Sequence, residues 1–209
     1  MRKLYLSCIL VFFISLISFS QNGVAKAAHE YFRSDPFGSD FSAFLKHLLN
    51  DPTLADKELK KRTDTSLFYF RGNYTKHNPF FFKAKRVEIM LNEAEVKIKD
   101  SVALDTIYLY QLAAYTDNTE TGTREIKKEF EKIFRRYKGS FYKNTLTENS
   151  SAEELQWATY NFFAPFYGIA PFAVSWIGPN DDKEICLLLT IRINSQNNKA
   201  VLPIPFNAP

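Results

Sequence analysis

Two cysteines, three histidines and seven glycines are all that the 209 residues contain, and each shortage closes a route. Cys8 lies in an N-terminal apolar run, so Cys186 is the one thiol left once that run is removed. A lone cysteine cannot form an internal disulfide, and the core must hold the fold by itself. Within EICLLLTIRIN, Cys186 reads as a small buried hydrophobe on a strand, not as a catalytic or intermolecular thiol. His29, His47 and His77 stand singly on three segments with no Cys or His at ligand spacing, which excludes the usual zinc patterns. The glycines never cluster as a phosphate cradle needs, and no nucleophile elbow, dinucleotide fingerprint or EF-hand loop is present. No metal and no cofactor are expected. The carboxylate groups Asp117/Glu120, Glu153/Glu154 and Asp181/Asp182 fall at loops or helix starts, where capping and turn formation account for them.

Charge is also sparse in net terms, at +4. The chain opens with Met1-Arg2-Lys3, runs through LYLSCILVFFISLISF, and reaches Ser18-Phe19-Ser20 before Gln21. A basic start, an apolar stretch and small residues at −3 and −1 make a secretory signal peptide over 1–20, cut between Ser20 and Gln21. An uncleaved anchor is the alternative, because the apolar run falls just short of a minimal membrane span. Cleavage removes Arg2 and Lys3, lowering 27 Lys and Arg to 25 against 23 Asp and Glu, a balance of +2. Such a near-neutral chain has no general attraction to nucleic acid. No later segment is long and apolar enough to span a bilayer. The leader followed by glutamine is similar to those of exported proteins of the Bacteroidota. That resemblance implies a Gram-negative envelope: periplasm, outer-membrane periphery or exterior.

Aromatic residues, by contrast, are abundant: twenty Phe and eleven Tyr. Residues 21–38 read as a flexible lead-in with at most one helical turn, and 39–209 as a single α+β domain. Phe41, Phe44, Leu45, Leu48 and Leu49 form one stripe of an amphipathic helix over about 40–50. Pro52 then fits the first position of a second helix, to about Arg62. Residues 65–116 alternate with period two and read as a four-stranded meander, with Asn92-Glu93 as one of its turns. Inside it, Phe80-Phe81-Phe82 follows a His77-Asn78-Pro79 turn. Consecutive rings on a strand point to both faces, so either both are covered or one ring is offered to a partner. Ile126, Phe130, Ile133, Phe134 and Tyr137 predict a helix over about 124–138, with Glu125, Glu129 and Glu131 on a wet face. Phe141-Tyr142 predicts a short strand. Two overlapping capping boxes at Ser150 and Ser151 predict a further helix over about 152–164, ended by Pro165. A closing meander spans 172–204, with strands at 172–177, 184–194 and 199–204. The expected architecture is a largely antiparallel sheet of two meanders covered by these helices.

The densest aromatic stretch runs from Trp157 to Trp176. Within it Trp157, Tyr160, Phe166 and Tyr167 are the candidate binding residues, because amphipathic rings at this density suit a contact surface. A core hinge between helix and sheet is the plainer alternative. The chain therefore reads as an exported, non-enzymatic binding protein that contacts another envelope or extracellular protein. A carrier of a lipid or other apolar small molecule comes second, and a hydrolase of unrecognised type third.

Overall fold

The computed structural model describes residues 23–33, 36, 41–61, 68–97, 104–149, 156–164, 169–179 and 183–194. Residues 23–31 form helix α1, in place of the expected lead-in with at most one turn. Val24, Ala27, Ala28 and Tyr31 recur at helical spacing and are all buried. Small residues in that stripe let α1 sit close to its neighbours, and they are also why it is inconspicuous in the sequence. Helix α2 (Phe41–Asn50) follows the expected stripe, with Phe44 and Leu48 buried. It ends in an Asp51-Pro52-Thr53 turn, where Asp51 Oδ1 accepts from the Thr53 backbone N–H at 2.8 Å and its hydroxyl at 2.6 Å.

Among the described residues, eight antiparallel strands make one open sheet in the order β1-β2-β3-β4-β8-β7-β6-β5. They are β1 (Leu54–Lys61), β2 (Phe68–Tyr74), β3 (Arg86–Lys97), β4 (Leu104–Asp117), β5 (Lys143–Asn149), β6 (Trp157–Phe163), β7 (Phe172–Ile177) and β8 (Glu184–Asn194). The fold is α+β, with two four-stranded meanders joined through β4 and β8 and linked in sequence by helix α3 (Glu120–Tyr137). The expected strand over 199–204 lies outside the described residues.

Several expected elements differ. The helix expected after Pro52 is strand β1. A bulge between Ala55 and Glu58, with Asp56 at φ 49°, breaks its period-two pattern and hides it from a reading by alternation. Asn92-Glu93 is no turn. β3 passes straight through it, with Asn92 opposite both Tyr69 and Leu109. The helix expected over 152–164 is strand β6 across 157–163, while its capping boxes at 150–154 lie outside the described residues. WATYNFF is composed of strand-favouring aromatic and β-branched residues, and tertiary pairing with β5 and β7 decides in their favour. Phe141-Tyr142 leads into β5, which begins one residue later.

The three α-helices among the described residues lie on one face. Phe41 and Phe44 pack on Tyr108 and Tyr110 of β4, with ring centroids 4.8 and 5.1 Å apart. α3 buries Ile126, Phe130, Ile133 and Tyr137 against the same core as Leu112, Val174, Leu187 and Leu189. At about 1.5–3 kcal/mol for each large side chain buried, this stripe is a major part of what closes the sheet. α3 starts earlier than its apolar period implies, because Thr119 caps it: its Oγ1 accepts from Gly122 N–H at 3.0 Å. Tyr137 at the far end donates to Glu30 Oε2 at 2.5 Å, and Glu30 also pairs with Arg136, which ties α1 to α3. Among the described residues no helix is long and apolar enough to cross a membrane.

Candidate functional site

On a strand, residues three apart face opposite ways. Trp157 and Tyr160, which a helix would have placed on one flank, therefore sit on opposite faces of β6. Tyr160 faces the helices, where its ring stacks on Phe134 and Phe130 at 3.9 and 4.6 Å. Its hydroxyl donates to Glu131 Oε1 at 3.0 Å. Burial first, and then this carboxylate, push the phenol up to about 12. Tyr160 is thus an anchor of α3. Trp157 is half-buried on the other face, which carries no helix among the described residues, between Asn149 and Ile177. Phe166, Tyr167, Ser20 and Gln21 lie outside the described residues. Trp157 and Tyr160, the two aromatic candidates among the described residues, therefore do not share a patch.

The most exposed large apolar side chain among the described residues is elsewhere. Phe81 is 76% exposed, while its neighbours Phe80 and Phe82 are buried. Segment 80–82 is a bend, not a strand, and Asn78 shapes it. The Asn78 side chain donates to Phe82 O at 2.8 Å and accepts from Phe80 N–H at 3.1 Å. Phe80 then stacks on Tyr31 of α1 at 5.7 Å, and His77 Nε2 donates to Tyr31 O at 2.9 Å. A turn held at both ends turns the middle ring outward.

Between this bend and α3 lies a cleft of about 340 Å³, lined by Phe81, Phe82, Glu125, Lys128, Glu129 and Lys132. The ammonium of Lys132 sits over the Phe81 ring and 3.8 Å from Glu129 Oε2. Glu129 is only 4% exposed, and among the described residues its Oε1 has no hydrogen-bond partner. Sequence periodicity puts Glu129 on the wet face of α3. The Phe81–Phe82 bend folds over that face and buries it, a long-range event that no helical pattern reports.

Burial raises the Glu129 carboxyl above its ordinary range, opposed by Lys132 and by a hydrogen bond from the Phe81 backbone, with Glu30 adding to the rise. The sign follows directly. A carboxyl whose folded value is raised is without penalty below the unfolded value and costs stability as pH rises through the folded one. Glu129→Gln should therefore raise the melting temperature at pH 7, and the gain should vanish near pH 4. Paired melts at the two pH values check this, and an equal shift at both would remove ionisation as the cause.

A second polar group lies on the helix-free face. Arg86 lies 3.7 Å from the centroid of the Tyr115 ring and pairs with Glu184, which also meets Lys85 at 3.2 Å. Tyr115 donates to Glu88 Oε2 at 3.1 Å. Cys186, opposite Tyr115, is buried, and burial pushes its thiol up to about 12, which disfavours the reactive thiolate. These groups are mutually satisfied and tie β3, β4 and β8 together. Among the described residues no three His, Cys, Asp or Glu gather as a metal ion would need. No family model, no curated protein and no solved structure matches this chain.

Proposed function

We propose that this is an exported, non-enzymatic binding protein of the cell envelope or exterior, and that it engages another protein at the Phe81–α3 cleft. The observation that carries the reading is the Phe81 ring, 76% exposed on a turn whose neighbours are fixed in the core. A rigidly presented aromatic side chain beside a charged rim is the arrangement of a binding anchor, because little entropy is lost when a partner covers it. Glu125, Lys128 and Lys132 supply both signs of charge around it, which suits selection of one partner over others. A cleft of this size is at the low end for small-molecule sites, and four of its six lining residues are charged. That composition favours a protein contact over an apolar carrier. Export rests on the basic start, apolar run and Ser18-Phe19-Ser20 site of the leader. Trp157, on the opposite face of the sheet, is the second candidate contact.

A photo-activatable amino acid at position 81 tests the site in the native host. One discrete adduct is expected at position 81 and none at exposed Leu49 on α2. Excess Phe81→Ala protein should compete for it poorly. Equal labelling from both positions would defeat the proposal.

A further inference from the structure

The two edges of the sheet are built differently. β1 is guarded: a bulge and a positive φ at Asp56 distort it, and three of its eight residues are lysines. These are the devices by which sheets avoid adding a further strand. β5, at the other edge, has neither a bulge nor a positive φ. KNTLTEN pairs with β6 without a register shift from Lys143 to Asn149, and it contains one lysine and no proline or glycine. Among the described residues β5 has a strand neighbour on one side only. Leu146 in its middle is 46% exposed, and Tyr142 just before it is 68% exposed.

We propose that β5 pairs antiparallel with β5 of a second copy of this chain, about a two-fold axis at Leu146 perpendicular to the sheet. The strand is complementary to itself in that register. Leu146 faces its own copy, Thr145 faces Thr147, Asn144 faces Glu148, and Lys143 faces Asn149. Threonine pairs and a central aliphatic pair are favourable cross-strand neighbours, and no like charges are opposed. Moving the axis to Thr145 or Thr147 sets Leu146 opposite Asn144 or Glu148, which leaves its apolar area against a polar group. Leu146 lies on the helix side, as its partner Tyr160 does. The axis therefore puts both α3 helices on one side of a continuous sixteen-stranded sheet. A leucine pair would form beside the Phe134–Tyr160 stack and cover apolar surface that one copy leaves half-wet. Symmetric closure also consumes the open edge and leaves only the guarded β1 strands outermost. The Phe81 cleft is not involved: Phe81 packs near Glu129 on one flank of α3, and Tyr160 on Glu131 on the other.

Two leucines of equal exposure make the test. Leu59 on the guarded edge is 46% exposed, as is Leu146. In the natural chain, expressed from its whole reading frame, Leu146→Cys should give a disulfide-linked dimer under mild oxidation, mapped by mass spectrometry to position 146 in both copies. Leu59→Cys should remain monomeric under non-reducing conditions. Sedimentation of the natural chain should show twice the monomer mass. Leu146→Lys and Leu146→Glu should each sediment as monomers that still melt cooperatively, at a temperature lowered only by the loss of association, and an equal mixture of the two should restore the doubled mass. A natural chain that sediments as a monomer overturns the proposal. So does cross-linking at position 59 as fast as at position 146, or a dimer that survives both charged variants.

Discussion

Phe172→Ala should lower the stability of the fold by about 3–5 kcal/mol, the usual loss when a fully enclosed phenylalanine is cut to alanine. The ring is 0% exposed. It stacks on Phe162 at 5.2 Å and on Phe141 at 6.1 Å, and meets the edge of Tyr137 at 5.4 Å. Those three partners belong to β6, to the turn after α3, and to α3 itself, so one deletion loosens the helix layer and the second meander together. The surrounding rings hold contacts of their own, Phe141 on Phe162 at 5.2 Å among them, which opposes collapse into the gap. Tyr142→Ala, removing a ring that is 68% exposed, should change stability by less than about 0.5 kcal/mol. Chemical denaturation of the two variants measures the contrast. Equal small losses would mean that α3 is not closed onto β7 as the ring geometry requires.

The second large effect runs against helix propensity. Gly122 sits in the first turn of α3, where alanine is worth up to about 1 kcal/mol more than glycine on intrinsic grounds. A Cβ at this position, however, would lie 2.4 Å from the carbonyl oxygen of Asp117 and 3.2 Å from Thr116 Cγ2. Backbone oxygen has nowhere to go, because Asp117 O already accepts from Thr119 N–H in the capping turn. Overpacking should win, and Gly122→Ala should cost about 1–3 kcal/mol net. Gly139, in the short turn after α3, has nothing within 4 Å of the corresponding point. Gly139→Ala should be close to neutral. Thermal melts of both variants decide between close approach and propensity. A gain at position 122 would show that the N-terminal turn of α3 relaxes away from β4.

Where period alone carries an element, the sequence was sufficient. α2, α3, β4, β7 and β8 occur where their apolar spacing puts them, since each presents one long face to the core. Failures have local causes. β1 disguises its alternation with a bulge, and α1 buries alanines that carry little hydrophobic signal. β6 follows two strong capping boxes that advertise a helix, yet its backbone is claimed by β5 and β7 on either side. Trp157 and Tyr160 share a flank only if the segment is helical. Phe81 was visible as the middle of a Phe run after a turn, but which of the three rings faces out depends on the two bonds Asn78 makes. Glu129 was not recoverable at all, because its burial comes from a segment nearly fifty residues earlier.

The strand order also bears on how the molecule assembles in time. Six of the seven strand pairings join strands consecutive in sequence, and only β4 with β8 does not. Closing a loop between consecutive strands is entropically cheap, and the cost rises slowly with the length closed. The first meander can therefore zip as successive hairpins before any residue of β5 is needed, and the second can do the same on its own. What remains is a single distant meeting of β4 and β8, with α3 already attached at the end of one partner. Folding then becomes a docking of two preformed halves along one seam, and the slow step is confined to the residues that line it.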